Sequence, residues 1–375
     1  MNILIVKLSA IGDVIHTLPA LAALRRLYPA ADITWVVEEA AADLLRDHPA
    51  LDRVLVSRRK SWLGEVRRGR IAAPLAEMRA FLRALRCRPY DLVIDFHGLL
   101  KSAVVVALSG GRRRLGYDSL QEMSGLFYTE KIPEDMAKHA VDRYLDFIRP
   151  LAREAHARYD SLIAAPSFAI AIGRAHQRRV DALLAEHAPL LATAGGREEN
   201  GRTAGAAGGE PPAIRFVAVN PVAFWETKLW EEEKFAGLCD RIRRETGLPV
   251  ILTGGAAGPL DRIRARMKTE AVNLGGRTTL RELACLYERA ALVVTTDSGP
   301  MHLAAAMGTP LVALFGPTDP VRTGPYGKGH RVIRRSLACM PCFRKRCETT
   351  ACMREISVEE VLTAVKEQLA GTKKE

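Results

Sequence analysis

Residues 2–28 read NILIVKLSAIGDVIHTLPALAALRRLY, and this stretch decides the fold. Residues 2–7 form a short apolar run rich in β-branched side chains, which predicts a strand. Residues 14–28 place apolar side chains at helical spacing, namely Val14, Leu18, Leu21 and Leu24. That spacing predicts a helix with one buried face. A strand followed by a short loop and such a helix is the repeating unit of an α/β fold with a parallel sheet.

The same alternation continues along the chain in two series. Further strands are predicted at residues 32–37, 53–56 and 92–95, and then at 215–220, 250–253, 292–296 and 311–315. Helices are predicted at residues 234–245, 280–290 and 301–307. A last helix is predicted at residues 358–369, with Ser357 as its N-cap and Glu360 at the third helical position.

The length of 375 residues predicts two domains. Residues 193–212 contain six Gly and two Pro with no apolar period, which is typical of a flexible linker. The sequence therefore predicts four segments, with a cleft between the two α/β domains. These are an N-terminal domain at residues 1–192, the linker at 193–212, a C-terminal domain at 213–356, and a final helix and tail at 357–375.

The charge balance indicates an anionic partner. Lys and Arg total 55 against 43 Asp and Glu, a net charge of +12. Charge alone leaves open nucleic acid, phospholipid, a phosphorylated substrate or a merely basic surface. The N-terminus lacks the pattern of a signal peptide, and no run of 18 uncharged apolar residues occurs. We therefore expect a cytoplasmic protein whose seven cysteines are mostly reduced.

The loop after the first predicted strand is a candidate functional loop, because ligands of open parallel sheets bind at the carboxyl ends of strands. Gly12 is expected to allow a tight turn there. Asp13 is expected either to cap the helix or to project into the cleft as a carboxylate. The loop is not a dinucleotide fingerprint, because neither GxGxxG nor GxxxxGK[ST] occurs in the chain.

Polar residues and glycines are concentrated at residues 295–310, TTDSGPMHLAAAMGTP, where a strand leads into a helix of small residues. The N–H groups at the start of that helix predict a diphosphate site. Asp297 could accept from a sugar hydroxyl and His302 could donate to phosphate, the alternative being a capping Asp and a packed His. Lys228 is expected either to pair with phosphate or to be an ordinary surface lysine. Gly254 and Gly255 would permit close backbone approach to the same ligand.

Basic residues are concentrated in the first half of the chain. RRK at residues 58–60 and RRGR at 67–70 flank Trp62, and RRR follows at 112–114. Each run alone is a common solvated surface. Together they place much of the positive charge in the domain that would not hold the nucleotide, which favours a large phosphorylated acceptor near an anionic membrane.

These motifs resemble glycosyltransferase family 9, the ADP-heptose:lipopolysaccharide heptosyltransferases, and most closely the heptosyltransferase I type. The similarity covers nearly the whole chain apart from the linker and the last few residues. The segments that show this similarity are ILIVKLSAIGDVIHTLPAL at 3–21, WVVEEA at 35–40, DFHGLLKSA at 95–103, GYD at 116–118, KHAVDRYL at 138–145, DSGPMHLAAA at 297–306 and FGPTDP at 315–320.

The resemblance implies a GT-B fold, in which two Rossmann-like α/β domains face each other across a cleft and the C-terminal one binds the donor. It also implies inverting heptose transfer that needs no cofactor or catalytic metal. The implied catalytic residues are Asp13 as general base and Lys228 on the donor phosphates. The implied donor-binding residues are Asp297, Ser298, Gly299, His302, Gly254, Gly255 and Thr296. The implied acceptor-binding residues are Arg58, Arg59, Lys60, Gly98, Lys101 and Arg143.

Two departures from the heptosyltransferase I pattern affect the donor contacts. Ala223 and Phe224 replace threonines that precede the phosphate lysine in that type. The acidic residue expected after Gly254 and Gly255 for the ribose falls near Pro259, with Asp261 as a substitute.

The implied partners are ADP-heptose, Kdo2-lipid A or a related core acceptor, and the anionic cytoplasmic face of the inner membrane. Heptosyltransferase II, or a relative that acts on a later core acceptor, is the alternative. A non-catalytic polyanion binder is a remote one, and we expect no nucleic-acid partner, because RNA-binding signatures are absent. Cys339, Cys342, Cys347 and Cys352 have spacing suited to zinc or an iron–sulfur cluster, with free thiols or a disulfide as the other interpretations.

Overall fold

The computed structural model describes residues 1–118, 121–191 and 214–371. The predicted linker at 193–212 therefore lies outside the described residues. The chain divides into two compact units, Met1–Ala171 and Ile172–Glu375. Each unit contains an α/β fold with a parallel sheet, as the sequence predicts.

Within its described residues, the first unit contains a six-stranded parallel sheet with the strand order β3-β2-β1-β4-β5-β6. The strands are β1 (Asn2–Val6), β2 (Asp32–Glu38), β3 (Arg53–Ser57), β4 (Leu92–Asp95), β5 (Arg113–Tyr117) and β6 (Glu130–Ile132). The helices are α1 (Ile11–Leu27), α2 (Glu39–Ala42), α3 (Arg59–Arg67), α4 (Ala72–Leu85), α5 (Leu100–Leu108), α6 (Ala140–Leu145), α7 (Ile148–Glu154) and α8 (Tyr159–Ile163).

The second unit repeats this architecture, with a six-stranded parallel sheet in its described part and the order β12-β11-β10-β7-β8-β9. The strands are β7 (Val217–Asn220), β8 (Val250–Leu252), β9 (Val272–Asn273), β10 (Leu292–Thr296), β11 (Leu311–Phe315) and β12 (His330–Arg334). The helices are α9 (Arg174–Glu186), α10 (Ala188–Leu191), α11 (Glu232–Thr246), α12 (Ala257–Arg266), α13 (Leu280–Arg289), α14 (Gly299–Ala306), α15 (Pro320–Thr323), α16 (Ala351–Arg354) and α17 (Val358–Gly371).

The unit boundary differs from the predicted one. Helix α9 packs on α13, and Arg277 Nη2 lies 2.6 Å from Glu186 Oε2, so residues 172–191 belong to the second unit rather than to the first domain. The C-terminal helix α17 packs on α11 and buries its apolar side chains in the same core. It is therefore part of the second unit and not a separate appendage.

Helix α1 differs from its prediction in burial. The spacing of its apolar residues predicts one buried face, but most of the helix is buried, including polar Thr17 and His16. Helices α6, α7 and α8 pack against the side of α1 that faces away from the sheet. The small side chains of α1, such as Ala20 and Ala23, permit that close packing.

Four strands of the structure, β5, β6, β9 and β12, were not predicted from the sequence, and they share a physical cause. Strands β5, β6, β9 and β12 are short or carry charged residues, as in RRLGY of β5 and HRVIR of β12. Strands β6, β9 and β12 also lie at sheet edges, where one side needs no apolar partner. By contrast, the predictions at 92–95, 292–296 and 311–315 agree with the structure residue for residue.

The predicted cap of the last helix is partly formed. Ser357 Oγ accepts the backbone N–H of Glu360 at 3.2 Å. The Glu360 carboxylate, however, pairs with the Arg335 guanidinium at 2.5 and 2.9 Å. This ion pair joins α17 to the segment that follows β12.

Each sheet reverses its strand order at one place, between β1 and β4 in the first unit and between β7 and β10 in the second. At such a switch point the two crossover connections leave toward opposite faces, and the carboxyl ends of the central strands border a crevice. The loops that follow β1, β4, β7 and β10 are therefore the positions to search for function. No helix in the described ranges has the length and apolar character needed to cross a bilayer.

A pair of glycine substitutions tests the packing of the first unit. A Cβ on Gly116 in β5 would lie 2.3 Å from ring carbons of the buried Tyr128, whereas a Cβ on Gly64 in α3 would meet nothing within 4 Å. We expect Gly116→Ala to lower the free energy of unfolding by about 1–3 kcal/mol through overpacking. The control Gly64→Ala should raise it by about 0.5–1 kcal/mol through helix propensity.

Urea unfolding followed by tryptophan fluorescence measures both effects. Equal midpoints for Gly116→Ala and the wild type would contradict the described contact between β5 and Tyr128.

Candidate active site

Asp13 lies at the carboxyl end of β1, in the first turn of α1. The helix begins at Ile11, so Asp13 is its third residue and not the N-cap. Its Oδ2 accepts the backbone N–H of Ala10 at 3.0 Å, and its Oδ1 accepts the Tyr144 hydroxyl at 3.4 Å. Gly12 is the second residue of the helix, so the expected tight turn at Gly12 is wrong. Asp13 both caps the helix from within and presents a half-buried carboxylate at the sheet edge.

A buried lysine organises the surroundings of Asp13. Lys7, the residue after β1, is 3% exposed, and its Nζ donates to the Tyr144 hydroxyl at 2.6 Å and to the Phe96 carbonyl at 3.0 Å. Burial lowers the pKa of Lys7, while the negative charges of Asp13 and Asp95 act to raise it. Burial raises the pKa of Tyr144 well above its ordinary value, so the phenol keeps the proton that it donates to Asp13.

The end of β4 forms the other side of the switch point. Asp95 is fully buried and accepts the Tyr128 hydroxyl at 2.7 Å and the backbone N–H groups of His97 and Gly98 at 2.8 and 3.3 Å. Gly98 has φ +70°, a conformation that favours glycine. Burial raises the pKa of Asp95. Burial, together with the charges of Lys7 and Lys101, lowers the pKa of His97 to about 2, so its imidazole is neutral.

Three of the predicted acceptor-side cations share one carboxylate, which the sequence reasoning did not single out. Glu38 is the last residue of β2, and its side chain is 4% exposed. Its carboxylate oxygens lie 3.1 Å from Arg59 Nη2, 3.2 Å from Lys60 Nζ and 3.9 Å from Lys101 Nζ. Lys101 also donates to Ser9 Oγ at 2.9 Å. The signal for Glu38 is the pair of acidic residues directly after an apolar strand in WVVEEA.

The structure places the other predicted acceptor residues on separate partners. Arg58 pairs with Glu39 at 2.8 Å and Glu77 at 2.9 Å. Arg143 is buried, and its Nη1 lies 2.9 Å from Glu134 Oε1. Arg59, Lys60 and Lys101 therefore form one cluster, whereas Arg58 and Arg143 lie outside it.

In the second unit, two predicted site residues, Lys228 and Asp297, are brought together at the switch point. Lys228 ends the 3₁₀ helix Glu226–Lys228 after β7, and Asp297 directly follows β10. Lys228 Nζ lies 2.6 Å from Asp297 Oδ2, and Thr318 Oγ1 donates to the same oxygen at 2.5 Å. The lysine also lies 4.5 Å from the centroid of the Trp225 ring. Lys228 is thus held by an anion and an aromatic face rather than extended on the surface.

Helix α14 begins beside this ion pair, at Gly299, two residues before the predicted start of the helix at Met301. Ser298 is its N-cap, Gly299 its first residue, and His302 lies in the first turn, 8% exposed. The backbone N–H groups at such a start carry partial positive charge and suit an anionic ligand. The Thr296 hydroxyl donates to the Val222 carbonyl at 2.9 Å, so it holds the loop after β7.

The glycine pair after β8 serves two purposes. A Cβ on Gly254 would lie 3.2 Å from Val222 Cγ2, so Gly254 allows close packing of two loops. A Cβ on Gly255 would meet nothing within 4 Å. Asp261, the substitute considered for a ribose contact, accepts from Asn273 Nδ2 at 2.8 Å and lies 3.2 Å from Arg264. Phe224, at one of the positions that departs from the family pattern, is 97% exposed.

The cysteine cluster is described as four free thiols. Cys339 and Cys347 are exposed, Cys342 is half-buried and Cys352 is buried. In the parts of the chain that the structure describes, no group of three or more His, Cys, Asp or Glu side chains is arranged to hold a metal ion. Hydrogen bonds from Thr350 and Thr349 lower the pKa of Cys347, and burial raises that of Cys352. The zinc, iron–sulfur, disulfide and free-thiol interpretations of these four cysteines stay predictions.

The neutral His97 gives a prediction for stability against pH. Its pKa is near 6.5 in the unfolded chain and about 2 in the folded one, so below pH 6.5 the unfolded state binds a proton that the native state does not. Folding stability should therefore fall as the pH decreases from about 6.5. We expect His97→Asn to remove up to about 1.4 kcal/mol per pH unit from that slope.

Urea unfolding of both proteins at pH 6.5, 5.5 and 4.5 gives the two slopes. The comparison uses slopes, so a constant structural cost of the substitution cancels. Identical slopes would mean that His97 titrates in the folded protein as it does in the unfolded one.

The chain is similar to curated proteins over most of its length. The chain is 32% identical to lipopolysaccharide heptosyltransferase 1 of Pseudomonas aeruginosa, over 92% of this chain and 87% of the relative. It is 31% identical to the protein of that name in Escherichia coli K12, over 89% of this chain and 93% of the relative.

Solved structures are similar over the whole chain. The structure of E. coli heptosyltransferase WaaC with ADP matches with a TM-score of 0.74 and 26% identity, covering 98% of this chain and 100% of that one. A glycosyl transferase family 9 structure from Veillonella parvula matches with a TM-score of 0.78 and 22% identity, covering 99% of this chain and 97% of that one. The second likeness concerns the fold alone.

The sequence profile of glycosyltransferase family 9 (heptosyltransferase) matches residues 78–352, well over half of the chain. The matched region includes Lys101, Lys228 and Asp297, which lie at the carboxyl edges of the two sheets. Profile match, relatives and switch-point geometry agree, and this chain belongs to glycosyltransferase family 9.

Proposed function

We propose that this chain is an inverting, metal-independent heptosyltransferase of lipopolysaccharide inner-core synthesis. It transfers L-glycero-D-manno-heptose from ADP-heptose to the Kdo of Kdo2-lipid A. The observation that carries the proposal is the placement of Asp13, whose carboxylate is held by Ala10 N–H and the Tyr144 hydroxyl at the switch point of the first sheet. A carboxylate so held can act as a general base.

The proposed reaction is a single displacement at the anomeric carbon. The acceptor hydroxyl oxygen forms the new bond to that carbon while its proton passes to Asp13. The bond from the anomeric carbon to the ADP oxygen breaks on the opposite face, and ADP leaves with the electron pair. The positive charge of Lys7, which interacts with Asp13, favours the ionised carboxylate that the base must present.

The donor half of the proposal rests on the second unit. Lys228 and the N-terminus of α14 would neutralise charge that develops on the departing diphosphate. Asp297 would accept from a heptose hydroxyl when Lys228 turns to phosphate. ADP-heptose is proposed as donor because the structures of E. coli heptosyltransferase WaaC are described with ADP and with ADP-2-deoxy-2-fluoro heptose.

The acceptor is proposed from charge and from the relatives. Arg59, Lys60 and Lys101 form a cation cluster suited to the anionic groups of Kdo2-lipid A. Four relatives named heptosyltransferase 1, from Pseudomonas, Salmonella and Escherichia, are 31–32% identical, against 24% for the two named heptosyltransferase 3, and this supports transfer of the first heptose. A protein from Campylobacter coli that is also named heptosyltransferase 1 is 23% identical. A lipid-linked acceptor of this kind places the enzyme at the cytoplasmic face of the inner membrane, in contact with its anionic surface.

The first test is ADP release from ADP-heptose by the purified protein, with and without Kdo2-lipid A. We expect acceptor-dependent release, and we expect Asp13→Asn to lower kcat by about 10²–10⁴-fold through loss of the base. Asp160→Asn, at an exposed carboxylate of α8, is the matched control and should keep wild-type kcat.

Two other results would redirect the proposal. Release only with a heptosylated acceptor would assign heptosyltransferase II or a later core transferase. Salt-sensitive binding to generic polyanions without turnover would leave a non-catalytic binder.

A second prediction concerns metal. Lys228, beside the proposed diphosphate site, supplies the positive charge that a divalent cation would otherwise provide, so Mg²⁺ should not be required. After dialysis against EDTA, we expect kcat/KM to change by less than about twofold, whether or not Mg²⁺ is then added. Loss of activity that returns with Mg²⁺ would overturn metal independence.

A further inference from the structure

Exposed apolar side chains are concentrated on one short segment. Of the fifteen large apolar side chains that are exposed in the described part of the chain, five lie between residues 63 and 78. They are Leu63, Val66, Ile71, Leu75 and Met78. A cluster of this kind on a soluble protein marks a surface that another apolar phase covers.

The two helices that carry these side chains are held together from their other sides. The rings of Trp62 in α3 and Phe81 in α4 meet edge to face at 5.8 Å, and Trp62 Nε1 donates to Glu77 at 2.7 Å. Ile71, the residue directly before α4, is followed by Leu75 and Met78 at spacings of four and three residues, so the three lie along one side of this helix. The packing of α3 on α4 thus leaves an apolar stripe outside.

The same segment carries a large share of the net charge. Residues 58–86 contain nine basic and two acidic residues, a net charge of +7 out of +12 for the chain. Glu65 pairs with Arg68 at 3.0 Å and with Arg70 at 3.1 Å. Arg67, Arg79 and Arg83 are exposed on the same two helices. An apolar stripe with arginines beside it matches an amphipathic surface that binds anionic lipid.

A second apolar surface lies beside the first. Leu100 and Val104 are exposed on α5, and Met123 and Leu126 are exposed on the segment Gln121–Phe127 that packs against it. With these, nine of the fifteen exposed apolar side chains in the described residues lie in two neighbouring places.

Both surfaces share one face of the sheet. Leu85 of α4 packs in one core cluster with Val105 and Val106 of α5, and Arg86 Nε donates to the Leu108 carbonyl at 2.7 Å. Helix α5 begins next to Lys101, at the edge that holds Asp13.

We propose that helices α3 and α4, with the start of α5, dock on an anionic lipid bilayer. The apolar side chains enter the boundary between headgroups and acyl chains, and the arginines lie on lipid phosphates. The inference deepens the proposed function, on which it rests, by assigning the surface that brings a lipid-linked acceptor to the edge of the first sheet.

The charge of this surface disfavours a second copy of the chain as its partner. Two copies of this chain that joined through the same surface would bring two segments of net charge +7 together, and that repulsion disfavours a dimer. A bilayer rich in phosphatidylglycerol supplies both an apolar phase and the opposite charge.

The test is co-sedimentation of the full chain with vesicles, with neither donor nor acceptor present. We expect binding to phosphatidylglycerol-containing vesicles and at least about tenfold weaker binding to pure phosphatidylcholine. The triple variant Ile71→Ser/Leu75→Ser/Met78→Ser should bind the anionic vesicles about tenfold more weakly or worse. Arg67→Gln/Arg79→Gln/Arg83→Gln should also bind more weakly, with a smaller dependence on salt.

Matched controls are Val321→Ser, at an exposed apolar side chain of the second unit, and Arg331→Gln, at an exposed arginine of β12. Both should bind as the wild type does. Circular dichroism of every variant separates a lost surface from a lost fold.

Two results would overturn the proposal. One is wild-type affinity of the folded triple variants for anionic vesicles. The other is a concentration-dependent dimer, seen by sedimentation velocity, that the serine variant abolishes, because the occupant would then be a second copy. Failure of the proposed function is distinguishable, because absent ADP release leaves the vesicle result unaffected. In a detergent-solubilised assay the triple variants should keep wild-type kcat and lose activity only on vesicle-embedded acceptor.

Discussion

The reversal of strand order in each sheet is the constraint on which the chemistry of this protein depends. Parallel strands buried on both faces, such as β1 and β10, are mainly apolar and carry no charged side chain along their length. Polar side chains must appear where the strand ends, and at a switch point two such ends border one crevice. Asp13 and Lys101 use this geometry in the first unit, and Lys228 and Asp297 use it in the second.

The buried amino group of Lys7 links the central strands of the first sheet to the proposed base. It bonds the carbonyl of Phe96, after β4, and the hydroxyl of Tyr144, in α6, and that hydroxyl reaches Asp13. A cation without such partners would be costly at this depth. The bonds that make its burial tolerable also position a phenol against the carboxylate, so stability and chemistry share one network.

Much of this arrangement could be predicted from the sequence, because strand ends and polar motifs coincide. The α/β class, the eight principal strands and the position of Lys228 and residues 295–310 after strands of the second series follow from local patterns. The ion pair between Lys228 and Asp297 was not predicted, because the two residues lie far apart in the chain. Glu38, Lys7 and Tyr144 could not be assigned in this way, because the side chains or carbonyl groups that they contact lie 21 to 137 positions away in the chain. The membership of residues 172–191 in the second unit is likewise a matter of tertiary packing on α13. Edge strands such as β12 were missed because charge masks their period.

The ion pair between Lys228 and Asp297 has a consequence for ligand selection. An anion that enters beside Lys228 must compete with a carboxylate that is covalently tethered and already 2.6 Å away. Tethering gives that carboxylate a high effective concentration, so a small monodentate anion such as chloride or acetate is a weak competitor. A diphosphate, which also reaches the backbone N–H groups at the start of α14, replaces the carboxylate at several points at once. The ion pair with Asp297 therefore makes Lys228 selective for a diphosphate over the common small anions of the surrounding solution.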